Sequence, residues 1–185
     1  MRDSRINYRY AKALFDLAIE QQILDKVYWD MHLIKDICNS NKDFDSLLSS
    51  PVIKTDKKQA IMKEVFGNHI HQTSLSFLLL VMKKRREANL KNISLSYIDE
   101  YKAFKGIKVA LLKTASEIDS NTKEQIINTL QVQSHKIIEL HEEINHDLIG
   151  GFVIRIDDKQ ADNSVATKIQ RLKKEFNVNI YEKGF

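Results

Sequence analysis

The sequence predicts a mainly α protein, with a six-helix N-terminal bundle over residues 1–105 and a small α/β C-terminal domain over residues 106–185. Helix-breaking residues are scarce, since the 185 residues include one proline and five glycines. Apolar residues recur at helical spacing through the first part, whereas alternation with a period of two begins after Gly106. Long helices with short turns are therefore expected first, and sharper backbone geometry second.

The first helix, predicted over residues 4–21, is more apolar than a one-sided surface helix. Lys12, Asp16 and Glu20 form one polar stripe at four-residue spacing, and most side chains between them are apolar. A surface helix usually carries a single apolar stripe about 100° wide, so this one should be covered on more than one side. Two interpretations stay open: a central helix of the bundle, or a helix with one flank open to a partner helix.

Three further helices follow with short connections. Residues 24–39 carry an apolar face at helical spacing. A short helix over residues 43–48 ends before Pro51, because proline disfavours helix in the residue that precedes it. The fourth helix begins at Thr55 or Asp56, each of which can act as its N-cap.

The fourth helix ends at Gly67, and a fifth is predicted over residues 72–89. Its centre, residues 77–82, is apolar on every side. Residues 83–86, Lys-Lys-Arg-Arg, follow near the helix end, where cations complement the helix dipole and stay solvated. A sixth helix then completes a compact all-α domain. Its apolar residues recur at near-heptad spacing: Leu90, Ile93, Tyr97, Tyr101 and Phe104.

The second part of the chain begins with a half-buried strand. Ile107, Val109 and Leu111 alternate with the residues between them, which places these three on one face. Residues 119–121, Asp-Ser-Asn, offer N-caps, and Asn121 with Glu124 resembles a capping box, so a helix is predicted to start here. A strand followed by a helix begins the small α/β domain.

The rest of this domain is predicted as short elements joined by tight turns. A second strand fits residues 136–144, a tight turn fits 147–151, and a third strand fits 152–156. Residues 157–163 form a polar loop. The tail from residue 177 either adds a short strand or hangs free. The last helix carries an apolar stripe of Val165, Ile169, Leu172 and Phe176.

No constellation of residues supports catalysis, and we expect neither a metal nor a cofactor. His69 and His71 form a His-x-His pair, but a zinc site needs three or four ligands and the sequence has a single cysteine. Cys38 falls on the apolar face of the second helix, where a small core residue is expected. Gly150 and Gly151 precede a strand and lack a phosphate-binding pattern, so a turn that needs positive φ is expected.

Composition narrows the class of protein further. Hydrophobic residues make up 43% and charged residues 29% of the chain, which is ordinary for a globular protein. No run approaches the ~18 apolar residues of a membrane span, and the N-terminus lacks a signal-peptide pattern. The single cysteine agrees with a reducing compartment, so a cytoplasmic protein is expected. The formal net charge of +4 is small for a nucleic-acid binder, but residues 83–86 leave RNA binding by an all-helical protein open as the alternative.

Three segments, taken in order, resemble one known family. Residues 10–18 read YAKALFDLA, and residues 77–86 combine an apolar run with two arginines. The most specific segment reads DLIGGFVIRID at 147–157, followed by DNS at 162–164. On these motifs the chain resembles the delta subunit of bacterial F-type ATP synthase, the family of the oligomycin-sensitivity-conferring protein. The family's signature turn and strand correspond here to Asp147, Leu148, Ile149, Gly150 and Gly151.

This resemblance implies a non-catalytic subunit that ties the catalytic head of a rotary ATP synthase to its peripheral stalk. In this family the N-terminal domain binds the N-terminal helices of α subunits, notably in a groove between its first and fifth helices. Small Ala13 would let a partner helix approach closely. We expect the groove to be lined by Tyr10, Ala13, Leu14, Leu17, Leu78, Val81 and Met82.

The resemblance also implies the partner of the second domain. In this family the C-terminal α/β domain binds the end of the b-subunit coiled coil. Residues 1–105 would therefore contact the head and residues 106–185 the stalk, with no nucleic-acid partner. The implied location is the cytoplasmic side of the bacterial inner membrane, which the subunit reaches only through the complex.

Overall fold

The computed structural model describes residues 2–134 and 136–177, and the chain divides after Lys105 into two compact units. The described part is mainly helical, with a small four-stranded sheet in the second unit. The predicted class, mainly α with a small α/β part, is confirmed. The helix count is not exact, since a short 3₁₀ helix accompanies the α-helices of the first unit.

The helices of the first unit follow one another with short connections. The second helix of the unit begins four residues after the first one ends, and the loop around Pro51 separates the third from the fourth. The elements are α1 (Arg2–Glu20), α2 (Leu24–Ser40), α3 (Lys42–Ser49), α4 (Thr55–Phe66), α5 (Gln72–Lys83), a 3₁₀ helix (Glu87–Asn89) and α6 (Leu90–Lys105).

The fifth helix ends earlier than the sequence predicts, at Lys83 instead of residue 89. Arg85 has a φ of 54°, and its N–H donates to the carbonyl of Met82 at 2.8 Å. The N–H of Arg86 reaches back to the carbonyl of Val81 at 3.0 Å. These two bonds form a Schellman-type end. Because no glycine occupies the left-handed position, this helix end could not be predicted from the sequence.

The start of the fourth helix also differs from the prediction. Thr55 is already the first helical residue, and Lys54, in extended backbone, is the cap without a side-chain hydrogen bond. Other helix starts are capped by side chains. The amide oxygen of Asn41 accepts from the N–H groups of Asp43 and Phe44 at the start of α3, which satisfies two donors that the helix leaves open.

The core of the first unit is centred on Tyr97 of α6. Phe15 of α1 packs edge-on against its ring, with centroids 5.8 Å apart. The near-heptad face of α6 is buried as predicted except for Phe104, which lies in the last turn and is largely exposed. The large side chains buried with Tyr97 are Leu14, Met31, Ile34, Met62, Phe66, Leu78, Met82, Leu90 and Ile93.

Polar contacts fix α5 against α2. The buried carboxylate of Asp30 accepts from the N–H of His71 at 3.0 Å and from the hydroxyl of Ser74 at 2.5 Å. The ring of His71 in turn accepts from the N–H of Thr73 at 3.2 Å. An acidic group at a helix N-terminus is favourable, because it satisfies open N–H groups and opposes the helix dipole.

The second unit is an α/β domain built on a mixed sheet. The elements are β1 (Ile107–Thr114), α7 (Ser120–Ser134), β2 (Ile137–Ile144), a 3₁₀ helix (His146–Leu148), β3 (Phe152–Ile156), β4 (Lys159–Asp162) and α8 (Val165–Asn177). The strand order is β2-β1-β3-β4, in which β1 and β2 are parallel and the other neighbours are antiparallel. Helix α7 makes the crossover that a parallel pair requires.

The buried face of β1 is the opposite of the expected one. Ala110 and Leu112 are fully buried, whereas Val109 is 39% exposed. Leu112 is in register with Ile154 of β3, which is also buried. Both faces of β1 carry apolar residues, so alternation alone did not decide which one is buried.

Two local features of this unit differ in part from the prediction. Of the N-caps that residues 119–121 offer, Asp119 is the one used, since its carboxylate accepts from the N–H of Thr122 at 3.1 Å, and the capping box of Asn121 and Glu124 is not the start of α7. The polar loop 157–163 contains β4, which forms a hairpin with β3 through a turn in which Asp157 has a φ of 50°. The strand tail expected after residue 177 lies outside the described residues.

Candidate functional site

A surface cleft of about 470 Å³ runs between α1 and α5. Its walls come from both helices, and its lining is apolar except at one end. The residues that line it are Arg9, Tyr10, Ala13, Leu14, Leu17, Phe77 and Leu80.

All four groove residues expected on α1 lie in this cleft. Leu14 is buried and forms its floor, and Tyr10 is half-buried. Ala13 and Leu17 are exposed on the rim. The residues at positions 10, 13, 14 and 17 follow helical spacing, so they form one continuous strip along the helix.

The groove residues expected on α5 are not in the cleft. Leu78, Val81 and Met82 are sealed inside the unit, and Phe77 and Leu80 line the cleft in their place. Because residues 77–82 are apolar on every side, periodicity could not tell the inner face from the outer one. The core takes the face that points towards α2 and α4.

The sequence held one signal for the correct face of α5. Gln72 and Ser76 are exposed polar residues four positions apart, and Leu80 continues this series. An apolar residue in line with an exposed polar series lies on the outer face of the helix. Arg9, the only charged side chain among the described residues that line the cleft, was also not anticipated.

Polar contacts join the walls of the groove to each other and to the rest of the unit. The side-chain oxygen of Gln21, just after α1, accepts from the hydroxyl of Thr73 on α5 at 2.9 Å. On the far side of α1, Lys12 donates to the carboxylate of Glu100 on α6 at 3.0 Å. That hydrogen bond and the charge of Glu100 raise the pKa of Lys12, so it stays protonated at neutral pH.

The expected signature turn is a structural junction in the second unit. The amide oxygen of Asn145 accepts from the N–H of Asp147 at 2.9 Å and starts the 3₁₀ helix that ends at Leu148. Ile149 then has a φ of 63° and Gly151 a φ of 74°. The chain therefore reverses through two left-handed positions before β3, and only one of them is a glycine.

The two glycines of this junction allow α8 to start close to the turn. A Cβ on Gly150 would come within 3.1 Å of the side chain of Val165, and the Gly150 carbonyl accepts from the Val165 N–H at 2.9 Å. A Cβ on Gly151 would come within 2.4 Å of the carbonyl oxygen of Asn163. The expectation of positive φ holds for Gly151, whereas Gly150 is needed for close packing.

Helix α8 presents its apolar stripe to the outside. Leu172 is 51% and Phe176 is 86% exposed, and Val165 and Ile169 are more than a third exposed. Ile149 of the signature turn, just before the residues that contact the start of α8, is also exposed. A 13-residue helix is marginal in water when no partner covers its apolar face, so this stripe is a second candidate surface.

The histidine and cysteine side chains that could bind a metal or act as nucleophiles have structural roles instead. Within the described residues, no three His, Cys, Asp or Glu side chains form a group that could hold a metal ion. Burial raises the pKa of the Cys38 thiol to about 11, which disfavours the reactive thiolate. His71 caps α5, and His146 contacts the Ala115 carbonyl at 3.0 Å.

These surfaces define a class: a small, mainly helical subunit that leaves apolar surface for other chains. A profile of the ATP synthase delta (OSCP) subunit matches residues 6–176. The chain belongs to the ATP synthase delta (OSCP) subunit family, as the resemblance predicted. Members of this family are non-catalytic subunits of the F-type ATP synthase, and the chain is accordingly a subunit of this kind and not an enzyme.

Relatives of known name match over nearly their whole length. The ATP synthase subunit delta of Cytophaga hutchinsonii is 36% identical over 178 residues, which cover 95% of this chain and 96% of the relative. That of Amoebophilus asiaticus is 34% identical over 174 residues, with 94% and 95% covered. RNA binding through residues 83–86 gains no support from these relatives, although all four cations are exposed.

A solved structure shares the fold. A chain in the cryo-EM structure of the Toxoplasma gondii mitochondrial ATP synthase hexamer aligns with a TM-score of 0.74 at 20% identity, covering 92% of this chain and 96% of that one. In the described ranges of this chain, no helix combines the length and apolar character that crossing a bilayer requires.

Proposed function

We propose that this protein is the stator subunit that links the α/β catalytic head of a proton-translocating F-type ATP synthase to its b-subunit peripheral stalk. Residues 1–105 bind N-terminal helices of α subunits, and residues 106–185 bind the C-terminal end of the b coiled coil. The subunit holds the head against rotation, so that proton transport is coupled to ATP synthesis. It is peripheral, on the cytoplasmic side of the bacterial inner membrane.

The observation that carries the head-binding half is the uncovered apolar lining of the groove between α1 and α5. Leu17 is 37% and Leu80 is 46% exposed, and Leu14 forms a buried floor between them. An amphipathic helix laid in such a groove covers these side chains and gains roughly 1 kcal/mol for each, since they are already partly buried. Ala13 keeps the rim low, so the partner backbone can approach closely.

The test of this half uses a synthetic peptide of the α-subunit N-terminal segment from the same organism. Titration calorimetry should show binding to the wild-type protein and at least about tenfold weaker binding to Ala13→Asp, equivalent to ~1.4 kcal/mol. The reason is that the new carboxylate would be buried unpaired under the partner helix. Ala60→Asp, the same change at an exposed site on α4, is the matched control and should bind normally.

A third variant separates groove from core. Val81 is fully buried, so Val81→Asp should unfold the first unit instead of weakening binding by a folded protein. Circular dichroism reports this directly. Wild-type affinity of a folded Ala13→Asp variant would remove the groove from the head-binding surface.

The stalk-binding half is supported by the exposed stripe of α8. Coiled-coil partners are recognised by apolar residues that recur every three to four positions. Ile169, Leu172 and Phe176 have this spacing and lie at the surface. We propose that the end of the b coiled coil packs along this stripe, beside the signature turn.

A soluble fragment of the b subunit tests this half independently. Leu172→Asp should weaken capture of the fragment by at least about tenfold, because a charge replaces an apolar contact in the centre of the stripe. Gln170→Asp, on an exposed polar position of the same helix, adds the same charge and should bind normally. Equal affinity of the two variants would place the stalk contact elsewhere.

The proposed function depends on slow dissociation of this subunit from its partners and involves no chemical reaction. A stator must stay attached during each turn of the rotor, and differences in affinity among related interfaces lie mostly in the dissociation rate. Engaging head and stalk at once also raises the effective concentration of each contact. Two moderate interfaces can therefore hold the complex together while each one remains small.

A further inference from the structure

The two walls of the groove run in opposite directions. The bond between Gln21 and Thr73 places the end of α1 next to the start of α5. From there the lining continues backwards along α1 to Arg9 and forwards along α5 to Leu80. The groove therefore has one end near Gln21 and another end near Arg9.

The Arg9 end of the groove is basic. Arg9 lines the cleft and is exposed. Lys84 follows Leu80 by four residues, and its N–H still donates to the Leu80 carbonyl at 3.0 Å, so it lies one turn further along the same face. Neither cation forms an ion pair within residues 2–134 and 136–177. Both remain available to a partner.

The opposite end of the groove is acidic. Glu20 follows Leu17 by three residues on the same face of α1, is exposed, and has no ion pair within the part of the chain that the structure describes. Asp16 lies beside it, although Lys12 neutralises part of its charge at 3.8 Å. Between these carboxylates and Arg9 the lining is apolar.

The spacing of the two charges matches a helix of about three turns. Arg9 and Glu20 are eleven residues apart, which is about 16 Å along a helix at 1.5 Å per residue. Eleven residues also complete three helical turns to within about 20°. A helix docked along the groove therefore brings two of its own side chains, about eleven residues apart, over Arg9 and Glu20 at the same time.

We propose that the groove is a charge-polarised receptor for an amphipathic helix, which carries an acidic side chain at the Arg9–Lys84 end and a basic side chain at the Glu20 end. This inference rests on the proposed docking of the α-subunit N-terminal helix, and it adds what sets the register and direction of that helix. Side-chain charges exceed the half charges of the helix dipole, so the order of acidic and basic residues decides the direction.

The effect acts mainly on association. Exposed charge pairs at the rim of an interface contribute little affinity but steer the encounter and suppress wrong orientations. The association rate constant should therefore fall with ionic strength. The apolar contacts that hold the docked helix should leave the dissociation rate nearly unchanged.

The experiment measures association of the fluorescently labelled α N-terminal peptide by stopped-flow anisotropy at low salt. Arg9→Glu should slow association about twofold to fivefold, the range that an exposed ion pair supports. The double variant Arg9→Glu/Glu20→Lys keeps the net charge but reverses the polarity of the groove, and it should be slower still. Lys57→Glu, an exposed charge reversal in the first turn of α4, is the matched control and should associate at the wild-type rate.

A peptide with its acidic and basic residues exchanged completes the test. It should associate faster with the double variant than with the wild-type protein. Equal rates for both proteins and both peptides would overturn the polarity while leaving helix docking intact. Failure of the natural-sequence peptide to bind the folded wild-type protein would instead overturn the proposed head-binding function. Circular dichroism of each variant confirms that the exposed substitutions leave the fold unchanged.

Discussion

The buried ion pair between Lys58 and Glu87 should be the most sensitive polar contact of the first unit. Lys58 of α4 donates to the Glu87 carboxylate and to the carbonyl of Leu48, both at 2.7 Å. The two side chains are only 3% and 12% exposed. The contact joins α4, the end of α3 and the 3₁₀ helix that follows α5, so it links three segments of the unit through one buried ammonium group.

The expected cost follows from what one substitution leaves behind. At 2.7 Å and an effective dielectric constant of about 20, the gross attraction is ~6 kcal/mol, and desolvation of both charges offsets much of it. Lys58→Met removes the cation and leaves a buried carboxylate, one oxygen of which already has no hydrogen-bond partner among the described residues. Breaking one side of such a pair costs about 3–5 kcal/mol, a large fraction of the stability of a single domain.

Urea unfolding followed by circular dichroism measures this loss, and fluorescence of Trp29 reports on the first unit alone, since it is the only tryptophan. The midpoint should fall by about 2 M for an m value of ~2 kcal/mol per molar. Lys12→Met, which removes the partly exposed pairs with Asp16 and Glu100, should cost less than ~1 kcal/mol. The double variant Lys58→Met/Glu87→Leu should recover most of the loss, because it removes both charges. Equal midpoints for the Lys58 and Lys12 variants would refute the reasoning.

Three further outcomes are expected. Gly151→Ala should lower the melting temperature of the second unit more than Gly106→Ala, since both have positive φ but only Gly151 has a backbone atom in the way of a Cβ; equal shifts would remove the steric argument. Because its pKa is about 11, the Cys38 thiol is roughly one part in a thousand ionised at pH 8, so iodoacetamide should modify it only in urea, and rapid native labelling would contradict its burial. Burial, and then the Asp25 hydrogen bond, raise the pKa of Tyr101 to about 12. The stability that this shift contributes is complete below the ordinary pKa near 10 and is lost as pH rises towards 12. In Tyr101→Phe, stability should therefore no longer fall with pH through this group.

Element type was predictable from the sequence wherever one physical signal dominated. Scarce proline and glycine, together with 3.6-residue spacing, indicated the helices of the first unit. The change of period after Gly106 indicated the sheet. The end of α5 at Lys83 was missed because Arg85 occupies a left-handed position that normally selects glycine or asparagine. The backbone bonds from Arg85 to Met82 and from Arg86 to Val81 close the helix there, and an arginine in the sequence does not predict such an end.

Which face of an element is buried was harder to predict than whether the element is a helix or a strand. β1 has apolar residues on both faces, so which face is buried depends on packing across the domain and not on the local pattern. On α5 the same difficulty led to the prediction of Leu78, Val81 and Met82 in the groove, where the structure has Phe77 and Leu80. On α1 the polar stripe limited the apolar face, and the four residues expected in the groove line the cleft that the structure contains.

The errors on α5 have a common physical origin. A leucine that will be covered by a partner helix and a leucine covered by its own domain face the same apolar environment in the assembled complex, so nothing in the residue itself separates them. What differs is the neighbourhood: Leu80 continues the exposed series of Gln72 and Ser76, whereas Leu78 packs among core residues. A sequence can therefore indicate that the apolar surface of a helix is too wide to be buried within its own domain, as it did for α1 and α5. Which side the partner covers follows only once the polar positions around each apolar residue are considered together with the packing of the whole unit.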